Sequence, residues 1–263
     1  AVPSISSLLA ATKEFEKNPA KRYDDTDLII CEFAENFLYS DRGNLSMARL
    51  NKIHSHYKIK NDDYLYTLSR FIFEPIAFID AYEWRKLENF EKEAIFDFWC
   101  MVGERMNINH IPNSINDFET WSKEYEKENL KFSESNKFIA EMTTNFFVSI
   151  LPKFLQSFGK KVTLTLLSEN VIYSIGENLP SPFLKSMIIN LLKFRAFVIK
   201  FFFLPRTKGL RRSPLEKSAT NGLYIPCFNN FPNALYRKGY EIETLGPSHI
   251  IGVDDDTLNS KYL

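Results

Sequence analysis

Residues 61–84 read NDDYLYTLSRFIFEPIAFIDAYEW and contain the strongest indication of the chain's architecture. Asn61, Asp62 and Asp63 can cap a helix and place acidic side chains in its first turn. The residues that follow are apolar almost all round, which is typical of a helix with neighbours on every side. We therefore predict a central helix here, with Pro75 kinking or ending it near residues 73–74.

The flanking segments repeat apolar residues at spacings of three and four, the pattern of amphipathic helices. Gly43 is predicted to close one helix and Asn44 to cap the next. The predicted helices cover residues 24–42, 44–57, 88–106, 114–128, 133–158 with an interruption at Pro152, 162–175 and 183–204. This pattern predicts an all-α fold, a single multi-helix bundle with an extended, loop-rich C-terminal tail.

The predicted domain boundary rests on a change in amino-acid composition after Pro205. Residues 1–212 are predicted to form one helical domain, and residues 213–263 an extended tail packed on that bundle. The tail is rich in Pro, Asn, Tyr and Gly, and its end beyond about residue 250 is predicted to be disordered.

The composition excludes several function classes. The chain has 263 residues, with 33 Lys and Arg against 33 Asp and Glu, so no broad basic surface for nucleic acid is expected. No Gly-x-Gly-x-x-Gly or Walker A loop can be written, which argues against nucleotide-binding folds. The three cysteines are too far apart for a zinc or redox pair. The four histidines lack the spacing of di-iron or His-Glu-x-x-His sites.

One segment, RLNKIHSH at residues 49–56, combines cations and imidazoles on a helix that precedes the aromatic-rich one. Arg49 and Lys52 share a side of that helix, whereas His54 points elsewhere. A haem needs an axial nitrogen, an apolar slot and cations for its propionates. The alternative is that Arg49 and Lys52 are surface charges and His54 is an ordinary histidine.

Two long segments also resemble a known family. RLNKIHSHYKIKNDDYLYTLSRFIFEPIAFIDAYEWRKL (residues 49–87) and EKEAIFDFWCMVGERMNINHIP (residues 91–112) resemble the MpaB and rubber-oxygenase (latex-clearing protein) catalytic family, most closely its fungal MpaB-like branch. The resemblance runs from about Val2 to Arg206. It implies an all-α, globin-like bundle around haem b and dioxygen-dependent cleavage of carbon–carbon double bonds in isoprenoid chains.

The resemblance also implies site residues. The Arg-x-x-Lys-Thr element of rubber oxygenases falls on Arg49 and Lys52, with Ile53 in place of threonine, and these two cations are the implied catalytic residues. The family's later histidine falls near residues 64–67, where this chain has none. We therefore expect His54 to be the iron ligand, with His56 as the second choice. Lys52 is an alternative ligand from the distal side, and Tyr66 is the last alternative because tyrosine can also bind haem iron.

The segment 183–204 joins six phenylalanines to Lys185, Lys193, Arg195 and Lys200 in a pattern typical of a helix lying on an anionic membrane. The alternative is a core helix whose lysines extend to solvent. MpaB-type members are bound to the endoplasmic reticulum, so this location is implied, with any anchor upstream of Ala1; the alternative is cytoplasmic.

Two functions follow as hypotheses. The first is a haem-dependent oxygenase acting with dioxygen on an apolar, prenyl-like chain at a membrane surface. The second is a non-catalytic helical lipid-binding or scaffold protein that shares the fold without haem.

Overall fold

The computed structural model describes residues 1–229 and 235–251 and shows an all-α architecture. Within these residues there is no β-strand, only an isolated bridge between Tyr224 and Tyr240. The described helices are α1 (Pro3–Thr12), α2 (Glu14–Lys17), α3 (Pro19–Glu35), α4 (Asp41–His54), α5 (Asn61–Tyr82), α6 (Asn89–Arg105), α7 (Ile115–Asn129), α8 (Glu134–Val148), α9 (Lys153–Thr165), α10 (Glu169–Ser174), α11 (Pro182–Phe202) and α12 (Ser248–Ile251), with a 3₁₀ turn at Ile242–Thr244. The predicted all-α class is confirmed.

The chain divides into two compact units. The first unit contains residues 1–11 and 59–207, and therefore nearly all of α1 together with α5 to α11. Its hydrophobic core is centred on α5, which contributes Leu65, Leu68 and Ile72, packed against Phe96 of α6 and Phe118 of α7. The prediction that residues 61–84 form a central helix is confirmed for this unit.

Pro75 does not end α5, so that part of the prediction is wrong. The helix continues without a break to Tyr82. Proline removes the hydrogen bond to the carbonyl four residues earlier, but Pro75 lies on the exposed side of α5, where water can satisfy that carbonyl.

The predicted helix starts at residues 88 and 114 coincide with local caps in the first unit. Glu88 and Glu91 form a capping box at the start of α6, and the Ser114 hydroxyl accepts a hydrogen bond from the Asp117 amide at the start of α7. The predicted helix over residues 162–175 is wrong, because α9 ends at Thr165 and Ser168 caps the separate short helix α10.

The second unit contains residues 12–58 and the chain from residue 208 onward. Here the predicted helix boundary at Gly43 and Asn44 is wrong. α3 ends at Glu35, and Phe37 adopts a left-handed conformation with φ of 66°. α4 then begins after Ser40, whose hydroxyl accepts a hydrogen bond from the Gly43 amide at 3.0 Å.

The C-terminal segment of this unit packs on α3. Arg212 bonds Asp24 at 2.6 Å, and the Ser213 hydroxyl donates to Glu35 at 2.6 Å. The predicted boundary at residue 212 lies close to the return of the chain into this unit at residue 208. The predicted division into a domain of residues 1–212 and a tail of residues 213–263 stays a prediction. The predicted disorder beyond residue 250 falls almost entirely outside the described residues.

None of the helices described for this chain combines the length and apolarity required to cross a bilayer.

Candidate functional site

Four of the five predicted site residues lie on α4 or within two residues of its end, in the second unit. The helix forms because Ser40 caps it and Asp41 places a negative charge in its first turn. Arg49 is buried and His54 is half-buried, whereas Lys52 and His56 are exposed. The structure thus gives the four side chains different surroundings.

Arg49 is held by the C-terminal segment of its own unit. Its Nε donates to the Leu245 carbonyl at 2.5 Å, while its Nη2 is buried and has no hydrogen-bond partner among the described residues. Burial lowers the pKa of the guanidinium, and the Asp25 carboxylate opposes that effect. A buried guanidinium stays charged, so Nη2 is an unsatisfied cationic donor that an anionic group would complete.

Gly246 lies directly beside this guanidinium. Its φ of +108° is strained for any residue with a side chain, and a Cβ there would approach Arg49 Nη2 to 3.3 Å. The same Cβ would come within 2.5 Å of Ile53 Cδ1. Ile53, which replaces the family's threonine, therefore packs against the C-terminal segment and brings no hydroxyl to this place.

His54 is a neutral imidazole at neutral pH. Burial, followed by the charge of Arg22, lowers the pKa of His54 to about 4. Haem iron and metal ions are bound by the unprotonated ring nitrogen, so this environment supports a ligand role.

His56 is oriented by the helix end. Its Nδ1 donates to the Lys52 carbonyl at 2.7 Å, which leaves the lone pair on Nε2. Hydrogen bonding of one ring nitrogen to a carbonyl is common for ligand histidines. His56 is exposed, however, and Lys52 points its ammonium toward solvent.

Tyr66 lies on α5 in the first unit. Its hydroxyl donates to Glu126 at 3.1 Å, and its ring stacks on Tyr125 with centroids 4.8 Å apart. Burial is the main cause that raises the pKa of the Tyr66 hydroxyl. The hydrogen bond to the Glu126 carboxylate and the burial of the hydroxyl both disfavour the tyrosinate form that an iron ligand requires.

Sequence reasoning missed a set of buried carboxylates on α3. Glu32 is fully buried and accepts two hydrogen bonds from Arg42, at 2.6 and 2.8 Å, and one from Tyr240 at 2.5 Å. Asp25 accepts from Lys21 at 2.8 Å and from the hydroxyl of Tyr236. The sequence offered one signal for this burial: Glu32 follows the apolar Leu28 by four residues and so lies on the same side of the helix.

A surface pocket of about 550 Å³ lies elsewhere in the second unit, where Leu223, Lys238 and Glu241 are among its lining residues. None of the five predicted site residues lines it. Among the described residues, no group of three or more histidine, cysteine or acidic side chains could hold a bare metal ion.

Comparison with known proteins finds relatives named as ER-bound oxygenases in Penicillium. The ER-bound oxygenase mpaB' of Penicillium brevicompactum is 32% identical over 234 residues, which cover 82% of this chain and 55% of that protein. The ER-bound oxygenase mpaB of Penicillium roqueforti is 34% identical over 188 residues, which cover 65% of this chain and 63% of that protein. No protein-family model matches the chain.

The chain belongs to the MpaB-like family. It spans between about half and two thirds of the length of these two relatives.

Proposed function

We propose that this chain is the catalytic part of a haem b-dependent oxygenase. It uses dioxygen to cleave carbon–carbon double bonds of an apolar, prenyl-like chain at the surface of the endoplasmic reticulum. The observation that carries the oxygenase proposal is the similarity, over 82% of the chain, to a protein named as an ER-bound oxygenase.

The donor set on α4 fits haem. A haem needs a neutral nitrogen for its iron and cations for its carboxylates. His54, whose pKa is lowered, offers the neutral nitrogen. Arg49, whose buried Nη2 is unsatisfied, offers the cation for a carboxylate. We assign His54 as the first candidate ligand and His56 as the second, with Arg49 as partner of a propionate. When bound, haem iron supplies the activation of dioxygen.

The protein residues around such a group bind and stabilise charge. Lys52 follows Arg49 on the same side of α4, and its exposed ammonium can stabilise negative charge that develops on oxygen. Apolar helix walls bind the prenyl chain and exclude water. One dioxygen molecule per double bond supplies the oxygen atoms of two carbonyl products, so the reaction balances without an external reductant.

The test uses the purified chain loaded with haem and a soluble farnesyl compound. We expect dioxygen uptake to match double bonds cleaved, one to one, with carbonyl products identified by mass spectrometry. Lys52→Ala should lower the rate about tenfold or more, because one charge-stabilising contact is lost. Lys58→Ala, another exposed lysine four residues beyond His54, is the matched control and should keep the wild-type rate.

Absence of carbonyl products from haem-loaded, folded protein would contradict the oxygenase proposal. A second candidate, a lipid-binding or scaffold protein without haem, is favoured by the exposed apolar side chains of α11. It predicts apolar-ligand uptake and membrane binding with no haem absorption.

A further inference from the structure

Helices α9 and α11 of the first unit expose an unusual number of large apolar side chains. On α11 these side chains recur at spacings of three and four and so form one continuous stripe. The stripe consists of Phe183, Met187, Leu191, Phe194, Phe197 and Phe201. Ile188 and Ala196, on the opposite side of the helix, are the residues that α11 buries.

α9 adds to this apolar surface. It packs against both α8 and α11 and leaves Phe154 81% exposed and Phe158 about half exposed. Soluble proteins rarely expose contiguous apolar patches of this kind unless the patch binds something. We call the exposed apolar side chains of α9 and α11 the apolar face.

The segments that carry the apolar face contain no acidic residue. Residues 149–168 and 178–207 together have eight Lys and Arg and no Asp or Glu, in a chain whose charges balance overall at 33 each. Helical geometry places Lys193 and Lys200 along one edge of the α11 stripe and Arg195 along the other. All three are exposed.

We propose that the apolar face is a docking surface that lies in the plane of an anionic phospholipid bilayer. Apolar side chains enter the region between headgroups and acyl chains, while flanking cations contact lipid phosphates. α11 has 21 residues and is therefore about 30 Å long, enough for a stable surface contact along its length.

The charge distribution favours a bilayer over a second copy of the chain. Two copies joined through this face would bring Lys193 and Lys200 of each near those of the other, whereas Glu83 already pairs with Arg195 at 3.0 Å. An anionic lipid surface supplies the missing negative charge. This inference rests on the membrane part of the proposed function, and it is independent of haem and of the reaction.

The experiment is co-sedimentation of the haem-free chain with vesicles of phosphatidylcholine alone or with 30% phosphatidylserine. We expect binding to the anionic vesicles that weakens with salt, and much weaker binding to the neutral ones. Phe194→Glu should reduce binding about 30-fold or more, since it removes an inserted ring and adds a repelled charge. Lys193→Gln with Lys200→Gln should reduce it by about fivefold per lysine, from about 1 kcal/mol per charge.

Phe90→Glu is the matched control. Phe90 lies in the same unit, on α6, and is 73% exposed, against 62% for Phe194. Its sequence neighbours Glu88 and Glu91 are acidic, so we place it outside the apolar face. We expect Phe90→Glu to bind anionic vesicles as the wild type does, and circular dichroism checks that both variants keep their helices.

Equal binding of Phe194→Glu and Phe90→Glu would overturn the proposal. So would a dimer in solution that Phe194→Glu abolishes while vesicle binding is absent. Turnover of the soluble farnesyl compound separates the two proposals. If only the docking surface is wrong, turnover persists without vesicle binding; if only the oxygenase is wrong, vesicle binding persists without turnover.

Discussion

Arg49 and His54 are five residues apart on one helix, and their surroundings give them different chemistry. Arg49 remains a buried cation because its Nε bonds the Leu245 carbonyl and Asp25 opposes the effect of burial. Burial and the charge of Arg22 lower the pKa of His54, so its imidazole is neutral at neutral pH. One short segment thus presents a buried cation and a neutral imidazole, the two groups that the proposed haem site requires.

The lowered pKa of His54 predicts a pH-dependent stability. In the unfolded chain His54 has its ordinary pKa of about 6.5 and binds a proton below that pH. In the folded chain its pKa is about 4, so it binds the proton only near pH 4. The contribution of His54 is therefore fully present above pH 6.5 and is lost as pH falls to 4, by about 3 kcal/mol. Urea unfolding of the haem-free protein at pH 7, 5.5 and 4 measures it.

His54→Gln removes this titration, so its free energy of unfolding should fall less than that of the wild type between pH 7 and 4. His56→Gln, an exposed neighbour, is the matched control. Parallel pH profiles for the wild type and His54→Gln would contradict the account of His54.

The identity of these residues could be taken from the sequence, but their burial could not. The segment RLNKIHSH indicated cations and imidazoles near an apolar helix. The partner of Arg49 is Leu245, 196 residues away, and no local pattern predicts such a contact. For the same reason the burial of Glu32 against Tyr240 was missed.

At the level of single helices, Gly43 explains how α4 begins. A Cβ at this position would lie 2.2 Å from the Phe37 carbonyl oxygen and 2.7 Å from that of Leu38. The chain before α4 passes so closely over its first turn that only glycine fits there. Sequence reasoning assigned Gly43 to a helix end because glycine is common there, whereas the cause is close packing of backbone.

Gly43→Ala is therefore expected to destabilise the protein by about 3 kcal/mol, since backbone atoms must move to admit the methyl group. Gly209→Ala is the matched control, because a Cβ there meets nothing within 4 Å. Chemical denaturation of both variants measures the difference. Gly43→Ala as stable as Gly209→Ala would show that the loop before α4 adapts freely.

Helix ends that depend on neighbouring residues were predictable, as with Glu88 and Ser114. Those that depend on distant packing were not, and Pro75 shows the limit. Its sequence signal is strong, but the exposed position of Pro75 on α5 lets the helix continue.

For the molecule as a whole, the acidic row on α3, formed by buried Glu32 and partly buried Glu35, holds the C-terminal segment within the second unit. Glu32 binds Arg42 and Tyr240, and Glu35 accepts from Ser213. The sequence predicted a tail packed on helices, but it did not predict that the tail satisfies buried carboxylates.

Glu32→Gln tests the role of this row. It leaves the Arg42 guanidinium without its charge partner, and removing one member of a buried pair costs about 3 kcal/mol or more. Amide hydrogen exchange in residues 208–229 should also become faster. Glu119→Gln removes the exposed partner of Lys123 and should cost less than about 0.5 kcal/mol. Unchanged exchange in Glu32→Gln would contradict the role assigned to α3.

The measurement that tests the central claim most directly is the absorption spectrum of the protein expressed with a haem precursor, together with a pyridine-haemochrome assay. We predict a Soret band and about one haem per chain, with the band lost in His54→Ala and kept in His56→Ala. A folded, helical protein without a Soret band would contradict the haem-dependent oxygenase, and a band unchanged in His54→Ala would contradict His54 as the iron ligand.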